Sequence, residues 1–183
     1  MSPDPALRIR TIALVGLMGV GKSTIGRKLA AALELPFADA DQEIEQAAGR
    51  SISEIFSEHG EAEFRAGERR VIARLLDGAP HVLATGGGAF MNPLTRELIK
   101  QKAISVWLNA DLDVLVRRCS RKDTRPLLSG KDPRQVLQGL MRERYPVYAE
   151  ADIVVETDDR PAHAAVEALI GALSARAGAQ SDA

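Results

Sequence analysis

Residues 16–24 read GLMGVGKST, which places Gly16, Gly21, Lys22 and Ser23 at the spacing G-x-x-x-x-G-K-[ST]. That pattern binds the phosphates of a nucleoside triphosphate. Glycines let the backbone wind tightly enough for several N–H groups to converge on phosphate oxygens, and a following helix points its positive end at the same place. Gly19, Val20, Gly21, Lys22, Ser23 and Thr24 are therefore the candidate triphosphate site, with Lys22 reaching the outer phosphates and the Ser23 hydroxyl on Mg²⁺. The dinucleotide fingerprint G-x-G-x-x-G fails, because Gly16, Gly19 and Gly21 have the opposite spacing.

Four further groups carry side chains suited to chemistry. Asp39 and Asp41 flank Ala40 where an apolar segment ends, so period-two geometry puts both carboxylates on one side of the chain. One can hold a metal and the other can accept a hydrogen bond from an attacking hydroxyl; the plainer alternative is a helix cap beside a solvated turn residue. Gly86, Gly87 and Gly88 leave the backbone bare, either as a flexible loop or as N–H groups open to a small substrate. Arg65 lies four residues after Glu61 and three before Glu68, offsets that set both carboxylates beside the guanidinium on a helix. This is a surface ion-pair ladder or an arginine held rigid to grip a carboxylate with two hydrogen bonds. Arg125 lies in a polar stretch, 120–132, of a length suited to a lid, and Arg144 lies in RERYPVYAE on a helix disturbed by Pro146.

Positioning these groups requires alternating elements. An apolar run at 11–15 precedes the phosphate loop and a helical pattern at 22–33 follows it. Further strands are expected at 35–39, 81–85, 104–108 and 153–156. The intervening helices are expected at 41–48 with Asp41 as N-cap, from Ser53 through Gly60 into 61–76, at 93–101, 111–119 and 133–149, and finally to about residue 175. The fold class is α/β, with a parallel sheet between helices. Residues 10–176 form a single domain, and residues 1–9 and 177–183 are expected to fray because they are small and polar.

The chain has 183 residues and a formal net charge of −1, so it offers no broad basic surface for nucleic acid. No apolar run reaches membrane-span length, and the N-terminus lacks signal-peptide character; the expected location is cytoplasmic. Cys119 is the single cysteine, and His59, His81 and His163 lack metal-ligand spacing, so zinc and Ser-His-Asp chemistry have no support.

Taken in order, GLMGVGKSTIGRKLA, DADQEIE, SISEIFSEHGEAEFR, VLATGGG, RPLL and RERYPVYAEAD resemble the motifs of shikimate kinases over nearly the whole folded chain. Only the first of them is generic to nucleotide enzymes. The resemblance implies a three-layer P-loop fold like that of nucleoside monophosphate kinases, with a five-stranded parallel sheet flanked by helices and a lid segment. It also implies ATP-dependent phosphorylation of the 3-hydroxyl of shikimate, with Mg²⁺ as cofactor, on the route to aromatic amino acids. By the same resemblance Asp41 would bind the reacting hydroxyl, and Asp39 with Ser23 would hold Mg²⁺. Arg65 and Arg144 would clamp the shikimate carboxylate, supported by Glu68, with Gly86, Gly87 and Gly88 against the ring substituents. Lys22 and Arg125 would stabilise the transferring phosphoryl group, and Arg118 and Arg160 would lie about the adenine. A monomer with no nucleic-acid or membrane partner is expected. The rival readings are a kinase for another acceptor such as gluconate, a nucleoside monophosphate kinase, and an ATP-binding regulatory module.

Overall fold

The computed structural model describes residues 5–121, 128 and 130–181. Five strands form one sheet: β1 (Thr11–Val15), β2 (Phe37–Asp39), β3 (Val82–Ala84), β4 (Ala103–Ala110) and β5 (Ile153–Thr157). Their order is β2-β3-β1-β4-β5 and every pairing is parallel, as the alternation of strands and helices requires. All five residues of β1 are buried, which is why that segment is apolar throughout: helices cover both faces of the central strand.

The helices are α1 (Lys22–Leu33), α2 (Ala40–Ala48), α3 (Ile52–Leu76), α4 (Pro93–Lys102), α5 (Leu112–Ser120), α6 (Pro133–Tyr148) and α7 (Ala162–Ser181). Asn92 and Asp132 cap α4 and α6 through their side chains, each ahead of a proline in the first turn, so both starts lie where the sequence puts them. Two starts differ. The N-cap of α2 is Asp39, whose Oδ1 accepts from the N–H groups of Asp41 (3.0 Å) and Gln42 (3.4 Å), so Asp41 is not the cap and its carboxylate is left for other partners. Helix α3 begins under Ser51, which forms a reciprocal capping box with Glu54, and it runs on through Gly60 (φ 78°, ψ 173°) with a kink.

Described residues near both ends take up regular structure where fraying was expected. Pro5–Arg8 forms a 3-10 turn that buries Leu7 in the main core, and α7 extends to Ser181 with Ala177 against that core. Alanine's high helix propensity carries α7 past the point where large apolar residues end. The main core surrounds β1 and β4 with residues such as Leu14, Leu29, Val106 and Leu115. A second, smaller core joins α2 to α3 through Ile44, Ile55 and Phe64. Among the described residues no helix is long and apolar enough to cross a membrane.

Candidate active site

The carboxyl ends of parallel strands are where open α/β sheets hold ligands, and the main cleft, about 620 Å³, opens there. Its floor is the phosphate loop, with Gly19, Val20, Gly21, Lys22, Ser23 and Thr24 all lining it. Gly16 is obligatory because its φ is 143° and a Cβ would sit 2.7 Å from the Leu108 carbonyl. Gly21, at φ 101°, is the N-cap of α1 and aims the helix at the cleft. The Lys22 ammonium donates to the carbonyls of Gly16 (2.7 Å) and Leu17 (3.0 Å), which holds a cation across the mouth of the loop.

Asp39 links the loop to the second strand. Its Oδ1 caps α2 while its Oδ2 accepts from the Ser23 hydroxyl at 2.6 Å. A hydroxyl and a carboxylate oxygen this close, beside a triphosphate site, fit a magnesium ion that takes one or two protein oxygens and completes its shell with phosphate and water. Among the described residues there is no cluster of three or more His, Cys, Asp or Glu side chains able to hold a metal, so the fit is for this mixed coordination and not for an all-protein cage. Asp41 lines the cleft one helical residue further on. Burial pushes its carboxyl above the usual range, the Asp39 charge pushes the same way, and Lys22 and Arg65 oppose them. Because Ala40 already belongs to α2, the two carboxylates share the cleft through a cap and a first turn and not through strand alternation.

The glycine run faces two guanidinium groups. Arg144 Nη1 lies 3.4 Å from where a Cβ on Gly87 would be, and Arg65 lies against Gly88, its Cζ 2.7 Å from such a carbon. A Cβ on Gly86 would stand 2.8 Å from Asp41 Oδ1 and 3.1 Å from Glu68 Oε2. The triple glycine is therefore space for side chains from α2, α3 and α6. Arg65 donates to Glu68 Oε1 at 2.8 Å and lies 3.7 Å from Glu61, as their spacing predicts. Only 1% of Glu68 is exposed, so this is no surface ladder. Burial raises the Glu68 carboxyl, Arg65 pulls it down by charge and hydrogen bond, and among the described residues its Oε2 has no partner. Gly86 and Gly87 line the main cleft; Gly88, Arg65, Glu68 and Arg144 are not among its lining residues.

At the other end of the cleft, Arg118 donates through Nη1 to the Val20 carbonyl at 3.0 Å and through Nη2 to the Asp158 carbonyl. Arg160 pairs with the Asp158 carboxylate at 2.7 Å and is exposed. Both line the cleft. Arg125 and most of the lid stretch lie outside the described residues.

Three contributors escape sequence reasoning. Thr85 donates its buried hydroxyl to the Leu14 carbonyl at 2.8 Å and so ties the start of the glycine run to β1. Asp158 anchors both cleft arginines. Tyr148, wholly buried, donates its hydroxyl to the Gly87 carbonyl. Only Tyr148 left a signal, its place four residues after Arg144 on one helix face.

Comparison with known proteins agrees with this geometry. The sequence model described as shikimate kinase matches residues 18–174. A shikimate kinase of Caulobacter vibrioides is 67% identical over 167 residues, 91% of this chain and 84% of the relative. One of Paramagnetospirillum magneticum is 60% identical over 157 residues, 86% and 80% of the two chains. Among solved structures, the shikimate kinase of Acinetobacter baumannii in complex with shikimate superposes with a TM-score of 0.88 at 38% identity, covering 92% of this chain and 94% of that one.

Proposed function

This chain belongs to the shikimate kinase family and is an ATP-dependent phosphotransferase that acts on the 3-hydroxyl of shikimate, and from that premise we propose how its own residues divide the work. Lys22 and the backbone of Gly19 through Thr24 hold the triphosphate. Ser23 and Asp39 hold Mg²⁺, which when bound would screen charge on the phosphates. Arg65 and Arg144 grip the shikimate carboxylate, Glu68 fixes Arg65, and Gly86 to Gly88 bring backbone N–H groups to the acceptor. Arg118 and Arg160 flank the adenine. Arg125, outside the described residues, would add positive charge at the transferring group, within a single domain at 10–176.

Phosphoryl transfer is largely loose, with little bonding to the nucleophile, so Asp41 orients the hydroxyl and receives its proton late. The raised basicity of that carboxylate suits the late proton transfer, since a buried anion near Asp39 is a better proton acceptor than a solvated one. The observation that carries the assignment is the convergence on one glycine run of a cleft carboxylate, Asp41, and two arginines, Arg65 and Arg144. We take the protein to work as a cytoplasmic monomer without nucleic-acid or membrane partners, in keeping with its balanced charge.

The test is ADP release from Mg-ATP with shikimate, with gluconate and with no acceptor. Stimulation by shikimate alone is expected. Stimulation by gluconate alone would overturn the shikimate assignment, and stimulation by neither would favour a regulatory module.

A further inference from the structure

A run of three glycines can offer N–H groups to a ligand but cannot by itself hold them in one direction, because glycine is the least restrained residue. Around this run the backbone groups are unevenly paired. The N–H of Ala89 returns to the Gly86 carbonyl and that of Met91 to the Gly88 carbonyl, closing the 3-10 turn at Ala89–Met91. Among the described residues neither the N–H of Gly87 nor that of Gly88 meets a backbone acceptor.

We propose that Tyr148 is the positioning residue of the acceptor site: by donating to the Gly87 carbonyl it fixes the Gly87–Gly88 peptide, and so the direction of the Gly88 N–H. The inference rests on the reading that this run faces the acceptor. A trans peptide is planar, with C=O and N–H on opposite edges, so a carbonyl held by the phenol turns the next N–H away from it.

Three observations support the role. The ring is wholly buried and packs against Trp107 at 5.9 Å between centroids, so the hydroxyl has no freedom to wander. Burial pushes its pKa to about 12, with the Arg144 charge opposing, so the phenol stays a donor at any pH the enzyme meets. Arg144 precedes it by one helical turn and meets the same glycine, so a single face of α6 sets both the guanidinium and the peptide. A carboxylate held by two kinds of donor needs them in register, and one rigid turn supplies that register.

Tyr148→Phe keeps the ring and removes the donor. The KM for shikimate is expected to rise about tenfold, the loss of one well-placed hydrogen bond, with the KM for ATP unchanged within about twofold. Tyr145→Phe is the control, because that hydroxyl donates to the Ala110 carbonyl at 2.8 Å and not to the glycine run; both KM values should hold. An unchanged shikimate KM in Tyr148→Phe overturns the proposal, as does an equal rise in both KM values or the same effect from Tyr145→Phe. If Tyr148→Phe fails to fold, the Tyr145→Phe protein has Tyr148 as its one tyrosine and can take up fluorotyrosine, a stronger donor. A shift in the shikimate KM alone then supports the role and no shift refutes it. Failure of the wild-type protein to phosphorylate shikimate would refute the underlying reading instead.

Discussion

Adding one methyl group at Gly88 should disable the acceptor grip while sparing the fold. Gly88 has φ −97°, which alanine adopts without strain. The new carbon would stand 2.7 Å from Arg65 Cζ and 2.8 Å from Nη1, roughly 0.8 Å inside a comfortable separation of ~3.5 Å. Since the backbone is tied by its own 3-10 bonds, the guanidinium is what gives way. It must then leave the 2.8 Å bond to Glu68 that fixes its plane. Losing one charge-assisted hydrogen bond to the substrate costs about 1.5–3 kcal/mol, or roughly 10- to 150-fold in shikimate KM. Neighbouring substitutions should differ in kind. Gly86→Ala crowds Asp41 Oδ1 at 2.8 Å and should lower kcat, and Gly87→Ala, 3.4 Å from Arg144 Nη1, should be the mildest. Steady-state ADP release with each substrate varied in turn measures all three. A shikimate KM in Gly88→Ala within about twofold of wild type, or an ATP KM that rises equally, would refute the packing argument.

Asp41→Asn should cut turnover by orders of magnitude with ATP binding intact; near-normal turnover would remove Asp41 from the mechanism. Because its carboxyl is raised above the ordinary 3.8, the folded state binds the proton more tightly than the unfolded chain, so stability falls as pH rises through the window above 3.8. Asp41→Asn should flatten that part of the slope and be the more stable protein at neutral pH, read from urea midpoints at acid and neutral pH. Arg65→Ala should weaken acceptor affinity by roughly 2–4 kcal/mol, measured by titration calorimetry, and an unchanged affinity would return Arg65 to a structural ion pair. Asp39→Asn keeps an oxygen for the α2 cap but loses the charge, so melting should change little while the Mg²⁺ needed for half-maximal rate rises roughly 10- to 100-fold. Asp39→Ala should also lose about 1 kcal/mol with the cap, and equal magnesium dependence in all three proteins would contradict the assignment.

The layered sheet was legible because its inner strands β1, β3 and β4 are buried on both faces and so are written as largely apolar runs, whereas the edge strand β5 alternates buried and exposed residues. The missed helix starts were legible too. Ser51 has Glu54 three residues on and Asp39 has Gln42, whereas Ser53 and Asp41 are followed at that distance by Phe56 and Ile44. At the site, motifs within one segment could be read: the phosphate loop, the Arg65–Glu68 spacing and the glycine run. What could not be read was which segments meet. Tyr148 reaches Gly87 across 61 residues and Arg118 reaches Val20 across 98, and such contacts are products of topology with no local trace. The purpose of the triple glycine was ambiguous for the same reason, since the side chains that fill its space come from three other helices.

The small core of Ile44, Ile55 and Phe64 stands apart from the main one around β1 and β4. The two helices it joins carry Asp41, Arg65 and Glu68, while the phosphate loop is rooted in the sheet. Part of the acceptor machinery, Asp41, Arg65 and Glu68, thus lies on helices braced by a core of their own, while Arg144, Tyr148 and the glycine run share the main core with the phosphate loop. Repacking Ile44, Ile55 and Phe64 would shift the helices that carry Asp41, Arg65 and Glu68 without touching the strands that root the phosphate loop.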